Sequence, residues 1–169
     1  MNHREDAHVR PRAPPPAWRH NEVPNALRNG KLTDVWVADS GANRHMTPHI
    51  EWMYDVELIN TQITTGLGQQ SECVAIGKVN LTYTNKYGDV HNITLTDVMC
   101  VPNLITNLFS VSRVAISATS TINFINHTME IRHPERGVII EGKHVGTHYV
   151  YIIDCSVKSK THIHTCPKG

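Results

Sequence analysis

Apolar and polar residues alternate along much of this chain, which is the pattern of strands with one buried face. The clearest alternation runs from Val79 to Tyr83 and again from Val90 to Val98. Between them, the segment 85–89 contains Asn, Gly and Asp, which favour a hairpin turn. The predicted strands are 35–38, 56–64, 73–83, 90–98, 121–125, 128–132, 138–140 and 147–153.

Turn residues separate the later strands. The predicted turns lie at 126–127, at 134–137 and at 141–143, where Asn, Pro or Gly occurs. No long amphipathic pattern is present, and only the segment after Asn107 changes from strand-like to weakly helical. We therefore predict an all-β fold, a barrel or a sandwich, with at most one short helix.

The 169 residues have room for one domain. Residues 1–33 are rich in Pro and Arg and poor in large apolar residues, so we predict a disordered tail there. A basic RNA-binding arm is the alternative, although acidic residues dilute its charge. The domain is predicted over 34–154 and a C-terminal tail over 155–169. His162, His164 and Cys166 in that tail are zinc-ligand types, but a closed site needs four ligands, so no metal is predicted.

Charge and cysteine content narrow the class of protein. The formal net charge is +1, which selects neither nucleic acid nor a membrane surface as a partner. No apolar run is long enough to span a bilayer, and the N-terminus lacks the apolar core of a secretory signal. The four cysteines show no CxxC spacing. We expect free thiols and a cytoplasmic location.

One stretch carries candidate chemistry. The apolar run 35–38 leads directly into Asp39, Ser40, Gly41 and Ala42. A carboxylate at the end of a buried strand is costly unless it is hydrogen-bonded, and Gly41 allows a tight turn that brings backbone N–H groups close to it. An Asp-Ser-Gly sequence is also common in surface turns, which is the alternative for this stretch taken alone.

The stretch resembles the protease region of copia-type retrotransposon Pol polyproteins. Those proteins carry a Trp, then Asp-Ser-Gly-Ala, then a His followed by Met-Thr, as residues 36–47 do here. Residues 75–79 are similar to the family's Gly-Ile-Gly-Thr-Val, with Ala in the first place. Residues 95–104 resemble its Leu-x-Asp-Val-Leu-Tyr-Val-Pro-x-Leu segment, and residues 107–111 resemble its Asn-Leu-Ile-Ser-Val segment.

The resemblance implies a fold and a set of site residues. The fold would be a small closed β-barrel of the retropepsin-like aspartic protease type with a flap-like hairpin. The catalytic residues would be Asp39, Ser40 and Gly41. The flap that covers the substrate would carry Gly66, Leu67 and Gly68. The supporting residues would be Ala42, His45, Leu108, Phe109 and Ser110, with Ser110 in place of a glycine. For His45 we favour a loop histidine that is hydrogen-bonded to backbone.

The resemblance also implies a mechanism. Peptide hydrolysis by an aspartic enzyme needs two carboxylates that share a proton. The chain has one Asp-Ser-Gly, so the second Asp39 would come from a second copy in a homodimer. The substrate would be the element's own polyprotein, processed in the cytoplasm or within virus-like particles, with no metal or cofactor. We expect the strands at 121–125 and 147–153 to complete the barrel rather than pair across the two-fold axis. A catalytically silent barrel, used for peptide binding or assembly, is the alternative.

Overall fold

The computed structural model describes residues 31–64, 68–117, 119–145, 150–153 and 155–157. Within them, one mixed sheet contains eleven strands and is accompanied by one short helix. The strands are β1 (Trp36–Asp39), β2 (Met46–Thr47), β3 (Met53–Thr64), β4 (Gln70–Thr84), β5 (Val90–Cys100), β6 (Asn107–Ser110), β7 (Thr121–Ile125), β8 (Thr128–His133), β9 (Gly137–Val145), β10 (Val150–Ile153) and β11 (Ser156–Val157); helix α1 spans Val111–Ser117 and 3-10 turns lie at Leu32–Asp34 and Ile50–Trp52.

Strand β4 shows why the alternating pattern forms a sheet. Every second residue from Cys73 to Tyr83 is buried, and the residues between them are partly exposed. The strand pairs antiparallel with β5 through the predicted turn. There, Asn85 Oδ1 accepts hydrogen bonds from the backbone N–H groups of Tyr87 and Asp89, each at 2.9 Å. The hairpin is therefore closed by its own turn residues.

The order of strands places β1 in the interior of the sheet. The order is β11-β4-β5-β2-β6-β1-β10-β9-β8-β7, and β3 pairs with β4 beside this path. Strand β1 pairs in parallel with β6 and antiparallel with β10. Because β1 and β6 are parallel, Asp39 and Ser110 end their strands side by side.

The sheet curls around one core without closing by hydrogen bonds. No pairing within the described residues joins β7 to β3 or β11, so the ladder has two edges. Side chains close the two halves instead, because Leu81 of β4 and Ile131 and Ile140 of β8 and β9 share one apolar cluster. Tyr83 Oη also donates a 2.5 Å hydrogen bond to Glu141 Oε2. The prediction of an all-β fold with one short helix is confirmed. The prediction of a closed barrel is wrong, because side chains and not strand pairing join the two halves.

Most strand predictions hold, with one correction at β9. The predicted turn at 141–143 is wrong, because β9 continues through it to Val145. Gly142 allows the neighbouring side chains to pack closely, because a Cβ at this position would lie 3.2 Å from Tyr151 Cβ and 3.3 Å from Met129 Cε. The strand predicted at 121–125 extends the sheet as β7, and the described part of the strand predicted at 147–153 does so as β10; residues 147–149 lie outside the described residues.

The two predicted tails are described only in part. Of residues 1–33, the structure describes 31–33, and Leu32–Asp34 forms a 3-10 turn. Of residues 155–169 it describes 155–157, where β11 pairs with Leu81 and Thr82 of β4. The histidines and the cysteine singled out at 162–166 lie outside the described residues.

Candidate functional site

Asp39 is the last residue of β1, and it is partly exposed. Its Oδ1 accepts hydrogen bonds from the backbone N–H of Gly41 at 2.7 Å and of Ala42 at 3.2 Å. Its Oδ2 has no hydrogen-bond partner within the part of the chain that the structure describes. One oxygen therefore fixes the orientation of the carboxylate and the other is left for an external group.

Gly41 leaves room for this arrangement. A Cβ at this position would lie 3.3 Å from Asp39 Oδ1, closer than most side-chain contacts, so a larger residue would push on the carboxylate. Ser40, between Asp39 and Gly41, is exposed. The three residues predicted to be catalytic thus form one turn, with the acid held and the hydroxyl accessible.

The turn is tied to the end of β6 by two serine hydroxyls. Ser110 Oγ donates to the carbonyl of Ala42 at 2.5 Å, and Ser112 Oγ donates to the same carbonyl at 2.9 Å. Ser110 is fully buried. Ser110, which stands in place of a glycine, thus contacts the loop of Asp39 through its hydroxyl.

His45 is buried behind the same turn. Its Nδ1 accepts the backbone N–H of Ser110 at 3.0 Å, and its ring lies 5.1 Å from the ring of Phe109. Burial is the main cause that lowers the pKa of His45 from 6.5 to about 4; the nearby charge of Arg113 also lowers it, and Asp97 opposes the shift by a smaller amount. The imidazole is therefore neutral at neutral pH, and it supplies the backbone hydrogen bond expected of a loop histidine.

Sequence reasoning missed Asn107, which joins three elements under the site. Its Nδ2 donates to the carbonyls of Thr33 at 2.7 Å and Val35 at 2.9 Å, and its Oδ1 accepts from Thr47 Oγ1 at 2.6 Å. The side chain is completely buried. Asn107 is the first residue of the Asn-Leu-Phe-Ser-Val segment that resembles the family, but the sequence does not indicate which groups it binds.

Asp39 lies on the face of the sheet that also carries Leu108, which packs near the hairpin predicted as a flap. Side chains two residues apart in a strand lie on one face, so Asp39 lies on the same face as Val37 and its neighbour Leu108. Leu108 packs in a small apolar cluster with Ile59 and Ile63 of β3, the first arm of that hairpin. The first arm of the hairpin and the neighbour of Val37 therefore pack against the same apolar cluster.

The tip of this hairpin is described only in part. Strands β3 and β4 remain paired up to Thr64 and Gln70. Gly68 is exposed with a φ of +74° and has open space around it. Gly66 and Leu67 lie outside the described residues, so their contact with a substrate stays a prediction.

The described residues hold neither a metal-binding group nor a membrane helix. Within them, no group of three or more His, Cys, Asp and Glu side chains could hold a metal ion. Likewise, no described helix has the length and apolar character to cross a membrane. Cys73 and Cys100 are buried free thiols, and burial raises the pKa of Cys100 to about 11.

Comparison with known proteins adds one finding. Residues 36–119 match a family model described as Pol polyprotein, beta-barrel domain. The match spans the site residues from Asp39 to Ser110 and supports a retrotransposon Pol polyprotein domain in this part of the chain, in agreement with the all-β sheet. No curated protein matches the chain. No solved structure matches it either.

Proposed function

We propose that this chain is an aspartic endopeptidase of a copia-type retrotransposon that acts as a homodimer and cleaves its own polyprotein. The observation that carries the proposal is the carboxylate of Asp39. It is held through Oδ1 by two backbone N–H groups, and Oδ2 points to no partner among the described residues. The match to the Pol polyprotein beta-barrel domain supports this assignment.

The reaction requires a second carboxylate so close to the first that one water molecule can contact both. No described side chain forms an ion pair or a hydrogen bond with Asp39. In the proposed dimer the two-fold axis passes between two copies of Asp39, which share one proton because two close anions cannot both ionise. One carboxylate takes a proton from the attacking water while the protonated one polarises the scissile carbonyl.

The remaining site residues have supporting roles in this proposal. Ser40 is exposed beside the acid and would donate a hydrogen bond across the two-fold axis. The β3–β4 hairpin would close over the bound peptide and exclude water, with Gly68 at its tip. No cofactor is needed for this chemistry.

The test is a peptide-library digest with the purified parent protein and with Asp39→Asn. We expect cleavage by the parent and a loss of at least about a hundredfold in the variant, because the dyad loses its general base. Asp34→Asn is the matched control, since Asp34 is an exposed acid just before β1 and outside the Asp39 turn. No cleavage by the parent would favour the alternative of a silent barrel that binds peptides or supports assembly; equal cleavage by Asp39→Asn would refute the role of Asp39.

A further inference from the structure

Two aspartates adopt the same rare backbone conformation on the two strands that pair with β4. Asp55 of β3 has a φ of +49° and Asp97 of β5 a φ of +53°. Each lies where its strand bulges against β4: the pairing shifts between Tyr54 and Glu57 in β3 and opposite Lys78 in β5. A bulge re-aims a side chain out of the regular pleat, and such bulges often lie next to functional sites.

The bulge of β5 aims Asp97 at two arginines that flank the site. Asp97 Oδ2 accepts a short hydrogen bond from Arg113 Nη2 and lies 3.6 Å from Arg44 Nη1. Arg44 belongs to the loop that follows Asp39, and Arg113 belongs to α1, which follows β6. We call Arg44, Asp97 and Arg113 the arginine clamp. One carboxylate oxygen thus connects β5 to both segments beside the candidate catalytic acid.

The clamp continues into the hydrogen bonds of the Asp39 turn. The backbone N–H of Arg113 donates to Ser110 Oγ at 3.2 Å, and Ser110 Oγ donates to the Ala42 carbonyl. The N–H of Ala42 in turn donates to Asp39 Oδ1. A short chain of contacts therefore leads from Asp97 to the carboxylate of Asp39.

Fold stability gives little reason for this arrangement. The side chains of Asp97 and Arg44 are 52% and 42% exposed, and ion pairs between exposed groups contribute little to stability. The positive φ of a residue other than glycine is itself unfavourable. The Asp of the segment 95–104, which resembles a family motif, therefore calls for a role other than holding the sheet together.

We propose that Asp97 is a positioning residue, which through Arg44 and Arg113 holds the turn of Asp39 in the orientation that the reaction needs. The inference rests on the proposed protease function for its effect on rate, but the effect on the turn can be measured without activity. Asp97 does not touch the substrate. Its loss would leave substrate binding largely intact and reduce the fraction of molecules with a correctly oriented carboxylate.

The experiment compares Asp97→Asn with Asp55→Asn. Asparagine keeps the size and tolerates positive φ, so each variant removes only the charge. Asp55 is the matched control because it has the same backbone conformation and its own ion pair, to Lys78 of β4 at 2.9 Å, whereas Asp97 pairs with the two arginines beside the Asp39 turn. Melting temperatures of both variants check the fold.

Two measurements decide the proposal. In Asp97→Asn, amide hydrogen exchange at Gly41 and Ala42 should accelerate at least about threefold, because these N–H groups hold Asp39 Oδ1. In the same variant, kcat should fall about tenfold with KM within twofold. Asp55→Asn should change neither. Identical behaviour of the two variants would overturn the proposal.

A second variant covers the case in which Asp97→Asn unfolds. Arg44→Gln removes the ion pair between Arg44 and Asp97 at a partly exposed position, and it should accelerate amide exchange at Gly41 and Ala42. Unchanged exchange would contradict the role of the arginine clamp. If the parent protein cleaves no peptide, the proposed function fails on its own. The exchange measurement then still decides whether Asp97 holds the turn.

Discussion

Asp39 and His45 are six residues apart and lie in different surroundings. Asp39 is partly exposed at the end of its strand, whereas His45 is buried against Phe109. The neutral imidazole accepts the Ser110 N–H and so holds the end of β6 beside the Asp39 turn. Its contribution is structural, and it makes the fold sensitive to acid.

Replacing His45 by Asn tests that sensitivity. The folded chain lowers the pKa of His45 from 6.5 to about 4. The stabilisation from the neutral ring is therefore fully present above pH 6.5 and is lost as the pH falls toward 4, by up to about 3 kcal/mol. Urea unfolding at pH 7.5 and pH 4.5 should show a greater loss of stability in the parent than in His45→Asn. Equal losses in both proteins would contradict the assigned pKa.

Single residues could be predicted from the sequence where the chemistry is local. Gly41 follows the acid directly, so a turn that brings N–H groups to Asp39 was predictable, and the structure has it. The positive φ of Asp97 was not, because it depends on how β5 pairs with β4. The same holds for Gly77 of β4, which lies opposite the bulge of β3: a Cβ at Gly77 would lie 3.0 Å from the Tyr54 carbonyl.

At the scale of elements, the parallel pair β1–β6 forms the base of the candidate site. Asn107 begins β6 and bonds the carbonyl of Val35, which precedes β1, and the hydroxyl of Thr47 in β2. A polar residue at the start of an otherwise apolar strand gives no indication of its partners in the sequence, because those partners are 60 or more residues away. The hydrogen bond to Thr47 adds to the backbone pairing that places β2 between β5 and β6.

Asn107→Ala should therefore destabilise the whole domain. The substitution removes three hydrogen bonds of a buried side chain and leaves the Thr47 hydroxyl without its acceptor, at a cost of about 2–4 kcal/mol. The Thr33 and Val35 carbonyls keep other donors, His49 and Thr106. Asn103→Ala is the control, since Asn103 is exposed in the loop before β6 and should change stability by less than about 0.5 kcal/mol. Equilibrium denaturation of both variants measures the difference. A loss for Asn107→Ala no greater than for Asn103→Ala would refute the proposed role.

For the whole molecule, alternation predicted the strands but not how the sheet ends. The sheet encloses its main core through residues such as Leu81 and Ile131, yet within the described residues its edge strands are not paired with each other. Pairing of distant edges depends on register and twist, which the period of apolar residues does not report. The same limit applies to a second copy of the chain, whose contacts leave no periodic pattern.

Dilution tests the proposed dimer. If each chain supplies half of the dyad, activity per molecule should fall once the concentration drops below the dimer dissociation constant. Initial rates over a dilution series would be compared with the monomer fraction from analytical ultracentrifugation. Constant activity per molecule well into the monomer range would show that one chain acts alone.

Mixing the parent with Asp39→Asn tests the central claim most directly, because it asks whether two chains share one site. Parent protein at fixed concentration is incubated with increasing Asp39→Asn until the subunits exchange, and cleavage of a substrate peptide is measured. Mixed dimers hold one carboxylate and should be inactive, so a tenfold excess of the variant should reduce activity by about tenfold. Asp34→Asn added in the same excess should not reduce it. Activity that is unchanged by excess Asp39→Asn, under conditions where the chains are shown to exchange, would contradict the account.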